Sequence, residues 1–121
     1  MIKRLLVAGA IVVATSPVAH ADVRYGLGHG LSSCGAWTQA RQMHNIDQLP
    51  MEHWVAGYLS EVNLVGPDIE APDIPDLLKG EDWAELTGWI DNYCAANPSD
   101  KLEKAARGLE LDLLGHHMAP P

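Results

Sequence analysis

The spacing of the two cysteines limits their possible chemistry more than that of any other side chains in this sequence. Cys34 and Cys94 are the only two in the chain, and the segment from one to the other is 61 residues long. Neither belongs to a C-x-x-C or C-x-x-C-H motif, the spacings typical of redox and haem-attachment sites. An even pair without such a motif favours a structural disulfide, which in the chain-entropy relation stabilises a fold by about 4 kcal/mol.

The other side chains that could act in catalysis or metal binding lack the necessary spacing. A helical metal-binding pair is expected at positions i and i+4, and no two of the later histidines are spaced in this way. The serines lie in neither a nucleophile elbow nor an S-x-x-K motif. We therefore expect no enzyme, no metal site and no cofactor, unless histidines or tryptophans converge on a ligand. The histidines are His29, His44, His53, His116 and His117.

Four tryptophans are the only large apolar rings, because the chain contains no phenylalanine. Trp37, Trp54, Trp83 and Trp89 each lie in a stretch whose apolar residues recur at helical spacing. This pattern favours positions in the core of a helical protein. A groove that binds a sugar or a peptide is the alternative use of such rings.

Acidic side chains outnumber basic ones by two to one. Sixteen Asp and Glu face eight Lys and Arg, so the formal net charge of the 121 residues is −8 at pH 7. This charge argues against nucleic acid and anionic membranes as partners, because both require a basic surface. As the pH falls toward about 3, carboxylates become protonated while Lys, Arg and His stay charged. The resulting repulsion can loosen packing and expose apolar surface.

The first 21 residues have the three parts of a secretory signal peptide. Lys3 and Arg4 form a basic start, residues 5–14 form an apolar segment, and residues 19–21 form an A-x-A cleavage site. Cleavage leaves 100 residues with six basic and sixteen acidic side chains, a net charge of −10. No later segment is apolar enough to span a bilayer. We therefore expect a periplasmic or secreted protein that is not attached to a membrane after cleavage, with its cysteines in an oxidising compartment.

Periodic apolar residues predict four helices and no strand. Ser32 or Ser33 can cap the first helix, Pro50 suits the first turn of the second, and Gly66-Pro67 is expected to end it. The predicted fold class is all-α: a small four-helix bundle in which one disulfide joins the first helix to the third. The predicted helices run from the serine cap to about residue 44, from 50 to 66, from 81 to 96 and from 98 to 114.

Three segments around these helices are predicted to be irregular. Residues 22–31 are rich in glycine and are expected to form a flexible leader, and residues 116–121 are expected to form a disordered tail. Residues 32–115 are then the helical domain. Residues 67–76 contain three prolines and several acids without a base, which predicts an exposed acidic loop.

Three short motifs follow one another along the predicted helical domain. They are S-C-G-A-W at residues 33–37, W-V-A-G-Y-L-S at 54–60 and W-I-D-N-Y-C-A-A-N-P at 89–98. A helix rich in alanine and leucine follows, up to residue 114. In this order the motifs are similar to those of small exported helical proteins around the HdeA/HdeB acid-stress chaperones. The resemblance covers nearly all of the chain that remains after the signal peptide.

This resemblance implies an HdeA-like periplasmic fold with a Cys34–Cys94 bridge and no catalytic residues. It also implies a protein partner, because dimers of these chaperones come apart in acid and an apolar surface then captures unfolding clients. Trp54, Val55 and Tyr58 are the corresponding candidates for contact with a client or with a second copy in a homodimer.

A related helical family, the immunity proteins against type VI secretion amidases, implies an alternative function. These proteins present a loop that blocks the active site of a cognate cell-wall hydrolase. The acidic segment Pro67–Asp76, stiffened by proline, would suit this role, with Asp68, Glu70 and Asp73 as contact residues. Such immunity proteins carry more cysteines than this chain, and the loop itself is a departure from the chaperones.

Overall fold

A computed structural model describes residues 28–69 and 74–120 of the protein. These residues form four α-helices and a preceding 3₁₀ helix. Within these ranges there is no β-strand, and Ser33 and Lys101 form an isolated bridge. The all-α fold class predicted from the sequence is confirmed. The elements are the 3₁₀ helix Gly28–Leu31, α1 Cys34–Met43, α2 Gln48–Ile69, α3 Trp83–Ala96 and α4 Leu102–Met118.

Local capping sets both ends of α1 and the start of α3. The Ser33 hydroxyl accepts a hydrogen bond from the amide of Ala36 at 3.1 Å, as expected of an N-cap serine. His44 is left-handed, with φ 48°, and donates its amide to the carbonyl of Ala40 where the helix ends. At α3 the Asp82 carboxylate accepts from two amides of the first turn. The helices predicted here from local signals are confirmed.

The core consists of the apolar faces of all four helices. Cys34 and Cys94 lie at its centre with Trp37, and none of the three has exposed surface. Removing such apolar side chains from water is the main favourable contribution to folding. The other core residues are Ala40, Met51, Val55, Leu59, Leu77, Leu86, Ile90, Leu102, Ala105, Leu109 and Leu113.

The turn between α3 and α4 holds the N-terminus of α1. The amides of Cys34 and Gly35 donate to the carbonyls of Asp100 and Pro98, at 2.7 and 2.9 Å. The carbonyls of Pro98 and Asp100 thus accept hydrogen bonds from α1 and not from a helix of their own, and residues 98–100 form a turn. The prediction that the fourth helix begins at Pro98 is therefore wrong, and α4 begins at Leu102.

The second helix continues beyond its predicted end. Gly66-Pro67 was expected to stop the helix, but α2 runs to Ile69. A proline inside a helix removes its own amide donor and crowds the carbonyl four residues earlier, so the helix continues through Pro67 at a cost in stability. Residues 67–69 of the predicted acidic loop are therefore helical, and residues 70–73 lie outside the described part of the chain.

Both ends of the helical domain are more regular than predicted. Gly28–Leu31 packs on α2 and α4 as a 3₁₀ helix, so this part of the expected flexible leader is wrong. The fourth helix passes through Gly115 and includes His116–Met118, where a tail was expected. Contacts with the rest of the fold, described below, stabilise both extensions. The expected signal peptide, residues 1–21, and residues 22–27 lie outside the described residues.

Candidate functional site

The three residues of α2 predicted to contact a partner lie under other parts of the fold. Val55 has no exposed surface and belongs to the core. Trp54 is half-buried, and Gly30 of the 3₁₀ helix sits directly against its indole ring. Tyr58 stacks on Trp54 with ring centroids 5.7 Å apart. These three α2 residues are here named the covered face. Val55 can meet a partner only after the cover has moved, whereas Trp54 and Tyr58 are partly exposed as the fold stands.

A phenol–carboxylate pair connects the covered face to α4. The Tyr58 hydroxyl donates to Glu110 Oε2 at 2.5 Å. Burial raises the pKa of Tyr58 well above its usual value of 10, and the bond to the Glu110 carboxylate raises it further. The phenol therefore stays protonated as the donor. The Glu110 carboxylate is the acceptor of this contact, which makes the hydrogen bond charge-assisted.

A charged cluster joins α1 to both α2 and α3. The Arg41 guanidinium makes a two-point contact with Asp91, at 2.9 and 2.7 Å, and donates to Glu52 at 2.7 Å. The indole N–H of Trp37 also donates to Asp91, at 2.7 Å. The hydrogen bond to Asp91 is the largest cause that raises the pKa of Arg41, against the lowering effect of burial. The cation is therefore permanent, and both of its partners are carboxylates.

Contacts at both ends hold the hairpin of α3 and α4. The Tyr93 hydroxyl donates to Asp100 Oδ2 at 2.7 Å, and the Lys104 ammonium lies 3.0 Å from the same oxygen. The hydrogen bond from Tyr93, followed by that from Lys104, lowers the pKa of Asp100 below its usual 3.8. At the other end, His117 Nε2 lies 3.0 Å from Glu81 Oε1. A carboxylate is thus present at each end of the hairpin.

Asn63 of α2 binds the described part of the segment that follows this helix. Asn63 Oδ1 accepts from the amide of Leu77 at 2.7 Å, while Asn63 Nδ2 donates to Asp76 at 2.9 Å. The bond from Asn63 is the largest cause that lowers the pKa of Asp76. These bonds place the buried Leu77 against the core.

The predicted disulfide is present, and it joins α1 to α3. Cys34 and Cys94 are bonded, and both are fully buried. The bridge is therefore a structural connection that is closed to solvent. The side chain of Asp68 and residues Glu70 and Asp73, the predicted contact residues of the acidic loop, lie outside the described residues.

The tryptophans occupy three kinds of environment. Trp37 is completely buried, whereas Trp54 and Trp89 are half-buried and pack against the core. The prediction of core positions is confirmed for these three. It is wrong for Trp83, which is the first residue of α3 and is 39% exposed.

The Arg41 cluster is a feature that the sequence-based prediction missed. A signal for it exists, since Arg41 is the single basic residue between Arg24 and Lys79 and follows Trp37 by one helical turn. The identity of its partners depends on how α2 and α3 pack, which spacing along the chain does not reveal. Next to the cluster lies an open cleft of about 410 Å³, lined by Thr38, Arg41, Gln42, His44, Asp91, Asn92 and Ala95.

Neither a cluster of metal-ligating side chains nor a membrane-spanning helix is seen in residues 28–69 and 74–120. Those ranges contain no group of three His, Cys, Asp or Glu side chains that could hold a metal ion. None of the helices described in them is long and apolar enough to cross a membrane. In comparisons with known proteins, no family model, curated protein or solved structure matches this chain.

Proposed function

We propose that this chain is an exported, non-enzymatic binding protein of the HdeA-like kind that captures unfolding proteins in acid. One observation carries the proposal: the side-chain contacts between helices use carboxylates as acceptors. Asp91 joins α3 to α1, Glu52 joins α2 to α1, and Glu110 joins α4 to α2. We expect acid to weaken such connections, because a charge-assisted hydrogen bond is lost when a carboxylate acceptor becomes neutral. Contact with a client is then assigned to the covered face.

Asp100 gives the sign of the pH dependence. Its pKa in the folded protein lies below the usual 3.8 because of the bonds from Tyr93 and Lys104. A group with a lowered pKa contributes stability that is present above its usual pKa and is lost as the pH falls through the folded value. The connection between α3 and α4 therefore weakens only in strong acid, in the direction that the proposal requires.

Charge repulsion adds to the loss of these contacts. Once the carboxylates are neutral, the expected mature chain keeps six Lys and Arg and five His as positive charges. Their repulsion expands the structure, as in acid-induced states of other proteins. The Cys34–Cys94 bridge keeps α1 beside α3, which limits the expansion. The bridge does not hold α2 or the 3₁₀ helix. When these two elements separate from the rest of the fold, Trp54 and Val55 of α2 are uncovered.

A client-aggregation assay tests the proposal. Protein lacking residues 1–21 is mixed with a client enzyme that unfolds at pH 3, and light scattering follows aggregation at pH 3 and, for a thermally unfolded client, at pH 7. We expect suppression in acid and none at neutral pH. No suppression at stoichiometric excess in acid would remove the chaperone function.

A pair of variants with the same change in charge tests the role assigned to the covered face. Glu110→Gln imitates the protonated partner of Tyr58, so we expect client capture to begin at a higher pH. Glu61→Gln removes one charge from an exposed position of α2 and should leave the onset unchanged. An equal shift in both variants would mean that net charge, and not the contact of α2 with α4, controls capture.

A further inference from the structure

Three exposed apolar side chains, each three positions after the last, mark the corner between α1 and α2. Met43, Ile46 and Leu49 are 66%, 90% and 58% exposed. Scattered exposed apolar residues are ordinary on a protein surface, but three within one short corner form a local patch. We name residues 43–49 the apolar corner. The covered face lies on other surfaces of the fold, so the proposed acid function makes no use of this patch.

Hydrogen bonds hold the apolar corner in one shape. Two hydrogen bonds fix Asn45. Its amide donates to the carbonyl of Ala40, and its side-chain Oδ1 accepts from the amide of Asp47 at 2.9 Å. The amide of Gln48 donates to the carbonyl of Asn45, and the side chains of His44 and Gln48 lie 3.1 Å apart. A partner would therefore lose little conformational entropy in ordering this corner, which favours binding.

The surroundings of the apolar corner are negative. The cleft described above begins at Gln42 and His44, directly beside Met43 in the sequence, and Asp91 forms part of its wall. Arg41 is shared between two carboxylates, so the cluster carries one net negative charge.

Further negative charge comes from the corner itself. Asp47 is exposed within it, whereas the ends of α1 and α2 that meet here carry helix-dipole charges of opposite sign and add no net charge. A positively charged surface is the electrostatic complement of such a site.

We propose that the apolar corner docks a basic protein surface at neutral pH. Ile46 enters an apolar recess of the partner, and a lysine or arginine of the partner lies beside the exposed carboxylate of Asp47 and the exposed side of Asp91, which is also bonded to Arg41. A second copy of this chain is disfavoured as the occupant, because two mature chains with an expected net charge of −10 repel each other. The inference is independent of acid-induced capture, since it concerns the closed fold.

The experiment uses a defined basic probe and two variants of equal charge. The probe is a helical peptide of leucine and lysine with separate apolar and basic faces, added at pH 7.5 and followed through the protein's amide NMR signals. We expect signals of residues 42–49 and 92–95 to shift. Ile46→Asp should weaken binding by at least about tenfold, the loss expected for one buried apolar side chain. Leu64→Asp, at a position of α2 that is 72% exposed, should leave the affinity within about twofold.

Three results would overturn the proposal. Stronger binding to both aspartate variants would show non-specific attraction between charges. Shifts of the apolar corner that depend on the concentration of the protein itself would assign the corner to a homodimer. A probe that leaves the corner signals unchanged, or that binds elsewhere, would show that the corner does not dock a basic partner. A negative result with the basic probe does not bear on the acid assay, because that assay measures client capture by the covered face.

Discussion

Gly30 shows how one absent side chain positions the main aromatic residue of the covered face. A Cβ atom at this position would lie well inside the van der Waals radius of the Trp54 indole. We expect Gly30→Ala to displace the 3₁₀ helix from Trp54 and to lower the free energy of unfolding by about 1–3 kcal/mol, as overpacking does in protein cores. Urea unfolding at pH 7 measures the change, and tryptophan fluorescence reports the exposure of the indole.

A second glycine provides the control for this substitution. Gly88 lies inside α3 and has open space where its Cβ atom would be. Gly88→Ala should therefore raise stability by roughly 0.5–1 kcal/mol, because alanine loses less backbone entropy than glycine in a helix. If both variants were stabilised, the indole would not be held against the 3₁₀ helix.

At the scale of helices, ends set by local chemistry were predictable from the sequence, and ends set by packing were not. The caps at Ser33 and His44 depend on side chains and backbone within one turn, and the limits of α1 follow from them. Asn97 and Pro98 have the same local appearance as the start of a helix. Tertiary hydrogen bonds to α1 use this segment as a turn, which no local pattern reveals.

The same distinction between local and tertiary causes applies to the candidate site. The disulfide was predictable because the chain offers only one pairing, and the helical spacing of Trp54 and Tyr58 places them on one side of α2. The cover over these residues was not predictable, since the glycines of the leader indicate flexibility when read alone. Only the closeness of Gly30 to the indole shows why a glycine is needed there.

Asn63 is the residue through which the segment after α2 is attached, and its removal has an effect with two parts. In Asn63→Ala the Leu77 amide loses its acceptor, which should cost about 1–2 kcal/mol at every pH. Asp76 loses the donor that lowers its pKa, so this pKa rises toward 3.8. Stability from a lowered pKa is present above 3.8 and is lost as the pH falls through the folded value, so this second part disappears in acid.

The measurement for Asn63→Ala is urea unfolding between pH 2 and 7, with Asp76 titrated by NMR. The deficit relative to the unmodified protein should be largest at neutral pH and smaller at pH 2. Asn92→Ala is the control, because this exposed asparagine of α3 should give a small gain from helix propensity. A deficit that is constant with pH would show that Asp76 contributes nothing to the attachment.

For the molecule as a whole, the acidic charge and the single bridge act in opposite directions. Sixteen carboxylates make the net charge sensitive to acid, and several of them accept the hydrogen bonds that join the helices. Acid therefore removes contacts and adds repulsion together. The bond between Cys34 and Cys94 does not titrate, so in the proposed acid-opened state we expect the contact of α1 with α3 to persist.

The double variant Cys34→Ala/Cys94→Ala separates the two effects. Opening a loop whose ends are 60 positions apart should lower the free energy of unfolding by about 4 kcal/mol, and small cavities at two fully buried positions add to this loss. We expect a lower urea midpoint at pH 7 and an acid transition at higher pH. Incubation of the folded wild-type protein with a thiol reductant is the control, since the buried sulfurs should resist reduction. An unchanged acid transition in the double variant would mean that the bridge does not limit the acid expansion, and the α1–α3 contact would then depend on Arg41 and Asp91.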